Sequence, residues 1–545
     1  MDTLLTLDIG TTGTKAALIS RSGQILATGY ADYPTYSEAG NIVEQDPEDW
    51  WRATLSAIQQ LQEKMNSDLS RDNSLPVLGR VREGLGLSAI ILSGQMQDCI
   101  LLGCDGALGR AILYSDSRAQ EEAAWLQQKI GAERLVEITG NEQGASSLLA
   151  KLLWLQKHDP ERLAKTNAIL IGAHDYVAWK LGAMPGADFT TASTTGLLDL
   201  QGKTWAYLLL QELGLDPFLL PLLQKSGTLA GELTAEAAAL TGLTEGTPIL
   251  RGCGDLGATT IGVGAGLPGR LYAYLGTSGW VAGSLLAATP NPQGGIFTLC
   301  HPDPQNFIQV APMLTAGGNL EWWRAVGDRW RVEPTSITDY QLLNDMATSV
   351  PPGSRGLLYL PYLAGERSPF SDPHARACFI GISQQTTQAE MTRAMMEGVA
   401  FAYRSLQEAM RPLPNPRPHP NPPLLGEGTV TKSSGIQELY LVGGGAKSPV
   451  WPQILADVLG YAVNVVADPG EAGTRGVAIL AGMALGWYNS FAPSSDFFPI
   501  ERRFEPLLAN SRIYDELYPI FRELYPQLKS SFARLAAIHT ENHGL

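Results

Sequence analysis

Two stretches of this chain read alike. "LTLDIGTTGTKAALIS" covers residues 4–19, and "AYLGTSGWVAGSL" covers residues 273–285. In each, an apolar strand runs into a Gly-Thr-Thr-Gly or Gly-Thr-Ser-Gly turn and leaves as a second strand. The match is short, and hairpins with glycine turns are common. Its recurrence near the start of each half predicts two similarly built domains facing each other. With 545 residues, the chain is long enough for two or more domains with large cores.

The surrounding pattern is α/β. Strands are expected at "LLTLDIG", "KAALIS" and "QILATGYADY". A helix follows, with Asp46 at its N-cap, Pro47 at its first position, Glu48 and Asp49 in its first turn, and Trp50, Trp51, Leu55, Ile58 and Leu61 at helical spacing. After a polar loop near residues 66–84, "LSAIILSG" reads as a buried strand, and strands alternate with helices to about residue 250. A second set begins near "TPILRGCGD". The segment "RPLPNPRPHPNPPLLGEG", residues 411–428, has seven prolines between Pro412 and Pro423. It is neither helix nor central strand, and the plainer reading is a surface insertion rather than a docking peptide.

Charge and cysteine usage narrow the function classes. A net charge of −15 argues against bulk nucleic-acid or anionic-membrane binding. The five cysteines, Cys99, Cys104, Cys253, Cys300 and Cys378, lack close paired spacing, which favours reduced thiols in a cytoplasm. The start "MDTLLTLDIG" has no basic region, so a secretory signal is not expected. No long uncharged apolar run predicts a spanning helix.

Four segments carry chemistry. "DIGTTGTK" fits neither the P-loop nor the dinucleotide fingerprint. Its turn N–H groups and hydroxyls suit phosphate oxygens, with Lys15 adding charge, and Asp8 beside phosphates needs a cation such as Mg²⁺ between them. The plain alternative is a hairpin turn that Asp8 merely braces. In "GCGDLGATTIGVG", Asp255 is a lone acid among small residues, suited to a general base and equally to capping a following helix. "LVGGGAKSPVW" ends a strand in three glycines before a helix, where a flat ring can lie on backbone. "SGQMQDCILL" clusters Gln95, Gln97 and Asp98 at a strand end, which suits a polyol or an ordinary polar loop.

The order "DIGTTGTK … VEQDPEDWW … SGQMQD … KLLWLQKHDPE … GCGDLGA … LGTSG … PYLAGERSP … LVGGGAKS" resembles the FGGY carbohydrate kinases, most of all the xylulokinase branch. "ACFIGISQQTTQAEMTRAMMEGVAFA", residues 377–402 with Glu397 and Gly398, resembles the family's C-terminal signature. The resemblance implies two actin-like (ribonuclease H-like) domains with a cleft between them. Residues 1–252 would form the sugar-binding domain. Residues 253–545 would form the ATP-binding domain, with the proline-rich insertion at about 411–434.

It further implies a cytoplasmic enzyme that transfers phosphate from ATP to a sugar, with Mg²⁺ as cofactor, no nucleic-acid or membrane partner, and a homodimer left open. Thr11, Thr12, Gly13, Lys15, Gly276, Thr277, Gly317, Gly444 and Gly445 would contact ATP. Gln95, Met96, Gln97, Asp98 and Asp255 would contact the sugar. Asp8 would meet Mg²⁺, directly or through water, and Asp255 would be the base.

The chain departs from the branch at two places. Gly94-Gln95-Met96-Gln97-Asp98 stands where xylulokinases usually have Gly-Gln-Met-His-Gly, and Asp255-Leu256 where they have Asp-Asn. D-xylulose is the expected sugar. D-ribulose, another polyol, or a non-catalytic sugar- or nucleotide-binding role remain the alternatives.

Overall fold

The computed structural model describes residues 2–38, 41–71, 86–288, 290–328, 339–410, 438–493 and 497–542. The expected proline-rich insertion and most of the loop near 66–84 lie outside these residues.

Two sheets organise the chain, and they repeat one plan. In the first, Ile25–Asp32, Gly13–Ser20 and Thr3–Ile9 form an antiparallel meander. Leu87–Gly94 then pairs parallel to Thr3–Ile9, and Pro248–Gly254 pairs parallel to Leu87–Gly94. In the second, Phe307–Met313, Gly279–Leu285 and Leu271–Leu275 make the meander. Glu438–Val442 and then Ala462–Val466 continue it in parallel. Even the antiparallel strands beyond each fifth position correspond, Leu229–Glu232 in one sheet and Ile500–Phe504 in the other. The two glycine-turn hairpins thus occupy equivalent places in two equivalent sheets. This is the two-domain, actin-like architecture expected from the sequence.

Local rules explain most elements. The helix Pro47–Arg71 starts where expected, and Asp46 accepts the Glu48 N–H at 3.0 Å. Its Trp50, Trp51, Ile58 and Leu61 are buried against the first sheet. The helix Gln388–Ala409 opens on a capping box between Thr387 and Glu390. It forms the spine of the second core with Met395, Val399, Phe401 and Leu406. No helix among the described residues is long and apolar enough to cross a membrane.

One element does not stay with its own half. The helix Ala472–Ala484 follows the fifth strand of the second sheet, yet Val477, Ile479, Leu480 and Ala481 pack with Leu4, Ile19, Ile91 and Leu250 of the first. There it crosses the helix Asp255–Thr260 and the turn after it. A Cβ on Gly476 would lie 1.8 Å from the Ala258 carbonyl oxygen, and one on Gly262 would lie 1.8 Å from that of Ala472. Only glycine permits this approach of backbone to backbone. Further ties join the halves. The Asn141 side chain exchanges two 2.8 Å hydrogen bonds with the backbone of Thr298, and the Cys300 N–H donates to Ser193 Oγ at 3.0 Å.

Candidate active site

The first hairpin pairs Asp8 with Lys15 across its register, and the Gly10 N–H closes the turn onto the Gly13 carbonyl at 3.1 Å. The turn is braced from below. Tyr33 donates to the Gly10 carbonyl, and Gln45 Nε2 donates to the Thr11 carbonyl at 2.8 Å. Gln95, nearly wholly buried, donates to Gln45 Oε1 at 2.8 Å. The structure therefore places Gln95 as a support under the hairpin. Thr11 and Thr12 lie at the surface, and Thr11 Oγ1 stands 3.4 Å from the Tyr114 hydroxyl. Lys15 reaches across to the second half, donating to the Gly470 carbonyl and pairing with Glu471 at 3.2 Å.

The second glycine turn gathers the other expected residues. Gly317 donates its N–H to the Gly276 carbonyl at 2.7 Å, and Ala316 and Gly318 donate theirs to the Thr277 carbonyl at 2.9 and 3.0 Å. Glu366 holds the base of this loop by accepting the N–H groups of Leu314 (3.0 Å) and Arg367 (2.7 Å). Gly443 has φ 101°, and a Cβ there would lie 2.6 Å from the Leu275 carbonyl oxygen. At Gly445 a Cβ would lie 2.4 Å from the Leu275 side chain, whereas Gly444 faces open space. Gly276, Thr277, Gly317, Gly444 and Gly445 thus make one patch of bare backbone. The helix expected straight after the three glycines starts later, at Trp451, because a 3₁₀ turn over Gly444–Lys447 intervenes.

The acids converge between these turns. Asp8 is half-buried and accepts the Ser93 hydroxyl at 2.7 Å. Its other oxygen lies 2.7 Å from where a Cβ on Gly473 would be, so the carboxylate abuts the first turn of the helix Ala472–Ala484. Burial raises its pKa, while Ser93, Lys15 and His174 oppose the rise. Asp255 begins its helix but does not cap it. The N-cap is Gly254, and Asp255 Oδ1 accepts the next residue's N–H, Leu256, at 2.7 Å. Burial, and then repulsion from Asp8, push Asp255 up to about 7.

Two residues absent from the sequence reading hold this base in place. Asp188 accepts the Thr191 N–H (3.0 Å), the Thr191 hydroxyl (2.6 Å) and the Gly254 N–H (3.4 Å). It also faces His174 Nε2 at 3.3 Å. Burial alone would raise Asp188, but His174 and Thr191 bring it below its usual value. Burial alone would lower His174, but Asp175 and Asp188 hold it above its ordinary value. The signal for His174 and Asp175 was the charged pair set inside the apolar run "LIGAHDYVAW".

Of the remaining expected residues, Met96 packs against Gly254, where a Cβ would lie 2.0 Å from its sulfur. Gln97 adopts φ 67° and donates to the Ser146 carbonyl at 3.1 Å. Asp98 is buried on the strand Met96–Leu102, which leaves the first sheet to pair with Ala168–Gly172. Among the described residues, no three His, Cys, Asp or Glu side chains gather closely enough to hold a metal ion by themselves. Asp8, half-buried at the foot of the first glycine turn, fits an ion shared with a polyphosphate.

A duplicated two-lobed fold with a glycine turn in each half and two half-buried acids, Asp8 and Asp255, fits a phosphotransferase of the actin-like class. Residues 3–262 match the model of the FGGY family of carbohydrate kinases, N-terminal domain, and residues 271–485 match that of its C-terminal domain. The chain belongs to the FGGY family of carbohydrate kinases. It is 28% identical over 532 residues to a xylulose kinase of Bacillus subtilis (strain 168), covering 97% of this chain and 98% of that one. To a gluconokinase of the same organism it is 27% identical over 541 residues, covering 98% and 97%. The solved xylulose kinase from Rhodospirillum rubrum superposes with a TM-score of 0.84 at 26% identity, covering 97% of this chain and 100% of that one.

Proposed function

We propose that this carbohydrate kinase phosphorylates a neutral ketopentose, with D-xylulose foremost and D-ribulose next, using ATP and Mg²⁺. The observation that carries the reading is Asp255, half-buried and raised toward neutrality, set next to Gly254, whose N–H Asp188 accepts and against which Met96 packs. A carboxylate so placed suits removal of a proton from a sugar hydroxyl near pH 7. Residues 1–252 would carry the sugar and the remainder the nucleotide. The backbone at Thr11–Gly13, Gly276–Thr277, Gly317 and Gly444–Gly445 would hold ATP. Asp8 would hold the magnesium ion, which offsets charge on the transferring group when bound. Lys15 would exchange Glu471 for phosphate. The xylulose kinase relatives support a ketopentose, while Gln97 and Leu256 in place of the branch's His and Asn leave D-ribulose as the second choice.

The experiment is a coupled ATP-turnover panel of pentuloses, pentoses, hexoses and polyols with the native protein and Asp255→Asn. A pentulose should give the highest kcat/KM, and Asp255→Asn should lower it by roughly 10²–10⁴ with ATP binding retained. Full pentulose turnover in the variant would remove the assigned base.

A further inference from the structure

Lys15 is the only Lys, Arg or His in residues 1–20, so it is the one cation of the first hairpin. Its ammonium is engaged by the other half of the chain. It donates to the Gly470 carbonyl and pairs with Glu471 Oε1 at 3.2 Å, the two side chains being 24% and 20% exposed. The acid is the fixed partner. Glu471 stands at the N-cap of the helix Ala472–Ala484, and its N–H closes a turn on the Asp468 carbonyl at 2.9 Å. Arg475, buried in the first turn of that helix, grips the same loop from behind through the carbonyls of Ala467 (2.9 Å) and Asp468 (3.2 Å). Lys15, a point charge on a flexible four-carbon stem, is the partner that can move.

The pair is built to open. The Thr474 hydroxyl donates to the Glu471 carbonyl at 2.9 Å and lies 3.2 Å from Glu471 Oε2, close enough to turn its proton to the carboxylate. When Lys15 leaves, that hydroxyl and the N-terminus of the helix still offset the charge on Glu471. Lys15 has no such reserve, and only an incoming anion replaces what it gives up. A partly exposed ion pair adds little to stability, so holding the halves together does not account for this one. A polyphosphate laid on the turn Gly10–Gly13 brings to Lys15 the same charge that Glu471 now supplies.

We propose that Glu471 is an internal competitor of the nucleotide's phosphates for Lys15. It holds the ammonium while the cleft is empty, yields it when ATP arrives, and so sets how tightly ATP is held. The inference rests on the kinase reading above, which gives the first hairpin to ATP. It goes beyond that reading by assigning control of ATP affinity to an acid outside the glycine turns.

The test is calorimetric titration, without sugar and with Mg²⁺ present, using inorganic tripolyphosphate and ATP as separate probes. The proteins are the native chain, Glu471→Gln, Glu471→Asp, Thr474→Val, Lys15→Met, and Lys15→Met combined with Glu471→Gln. Glu471→Gln should tighten both probes by about two- to fivefold, the range of a partly exposed ion pair. The KM for ATP in sugar-dependent turnover should fall in step. Glu471→Asp keeps the charge and should stay closer to the native protein than Glu471→Gln does. Thr474→Val removes the reserve partner of the acid and should weaken both probes by about twofold, a change of opposite sign from a neighbouring residue. In the Lys15→Met background, Glu471→Gln should lose most of its gain.

Unchanged or weaker binding in Glu471→Gln overturns the inference and leaves the pair a tie between the halves. A gain of equal size with and without Lys15 also overturns it, since the acid would then act by simple repulsion. So does a native protein that binds neither probe. If no sugar is phosphorylated, the kinase reading fails on its own, and the tripolyphosphate titrations still decide the competition.

Discussion

At the scale of single residues, the proton on Asp255 is the variable that matters most. Burial and the neighbouring Asp8 push this carboxyl up to about 7, and a base works only once its proton has gone. The expected outcome is a kcat/KM for sugar that rises with pH and levels off above about pH 7. The measurement is a rate profile from about pH 5.5 to about pH 8, and a flat profile would mean that another group takes the sugar proton. Asp255 was legible in the sequence because a lone acid among small residues is unusual. Its supports were not. Asp188 and His174 lie far from it along the chain, and only the fold brings the Asp188 carboxylate to the Gly254 N–H at 3.4 Å. Gln95 shows the same limit: its place beside Met96 is plain in the sequence, but only the fold turns its Nε2 under the first hairpin to Gln45 Oε1 at 2.8 Å.

At the scale of elements, the two hairpins were readable because a glycine turn between apolar strands is a local signal. The crossing of the helix Ala472–Ala484 over Asp255–Thr260 was not, since its contacts, such as Gly476 on Ala258, join residues far apart along the chain. Those contacts make a sharp demand. Gly476→Ala places a methyl group where the Ala258 carbonyl oxygen now stands, 1.8 Å from an ideal Cβ. The helices must then separate, at a cost of about 1–3 kcal/mol for such overpacking. Denaturant unfolding should register this loss, and sugar-dependent turnover should fall with it because Asp255 rides on one of the two helices. A variant as stable as the native protein would mean that the crossing yields easily.

At the scale of the whole molecule, buried protons tie stability to pH. Asp255 and Glu366 are each pushed up to about 7, and His174 is held above its ordinary value. Between about pH 6.5 and about pH 7.5 the folded protein still holds protons on these groups that the unfolded chain has shed or is shedding. Stability therefore falls as pH rises, by about 1.4 kcal/mol per pH unit for each such proton. Asp98 adds to the trend, while Lys151, brought down to about 8, and His301, brought down to about 4, oppose it, since the unfolded chain holds protons on them that the folded protein gives up. The net charge of −15 acts in the same direction as the acids. The ligand-free protein should melt at a lower temperature at pH 7.5 than at pH 6.5, and scanning calorimetry in matched buffers checks it. A melting temperature that climbs over this range would show that surface ion pairs dominate.

The borrowed helix also sets a timetable. The face formed by Leu4, Ile19, Ile91 and Leu250 is complete once the ribosome has passed the first matched segment, which ends at residue 262. Its cover, Ala472–Ala484, begins at residue 472, about 210 residues later. At the usual pace of translation that gap lasts about 10–40 s. Throughout it, each nascent copy carries an oily patch that Ala258 and Ile261 cover only in part, which makes this stretch of synthesis the natural point for a chaperone to engage.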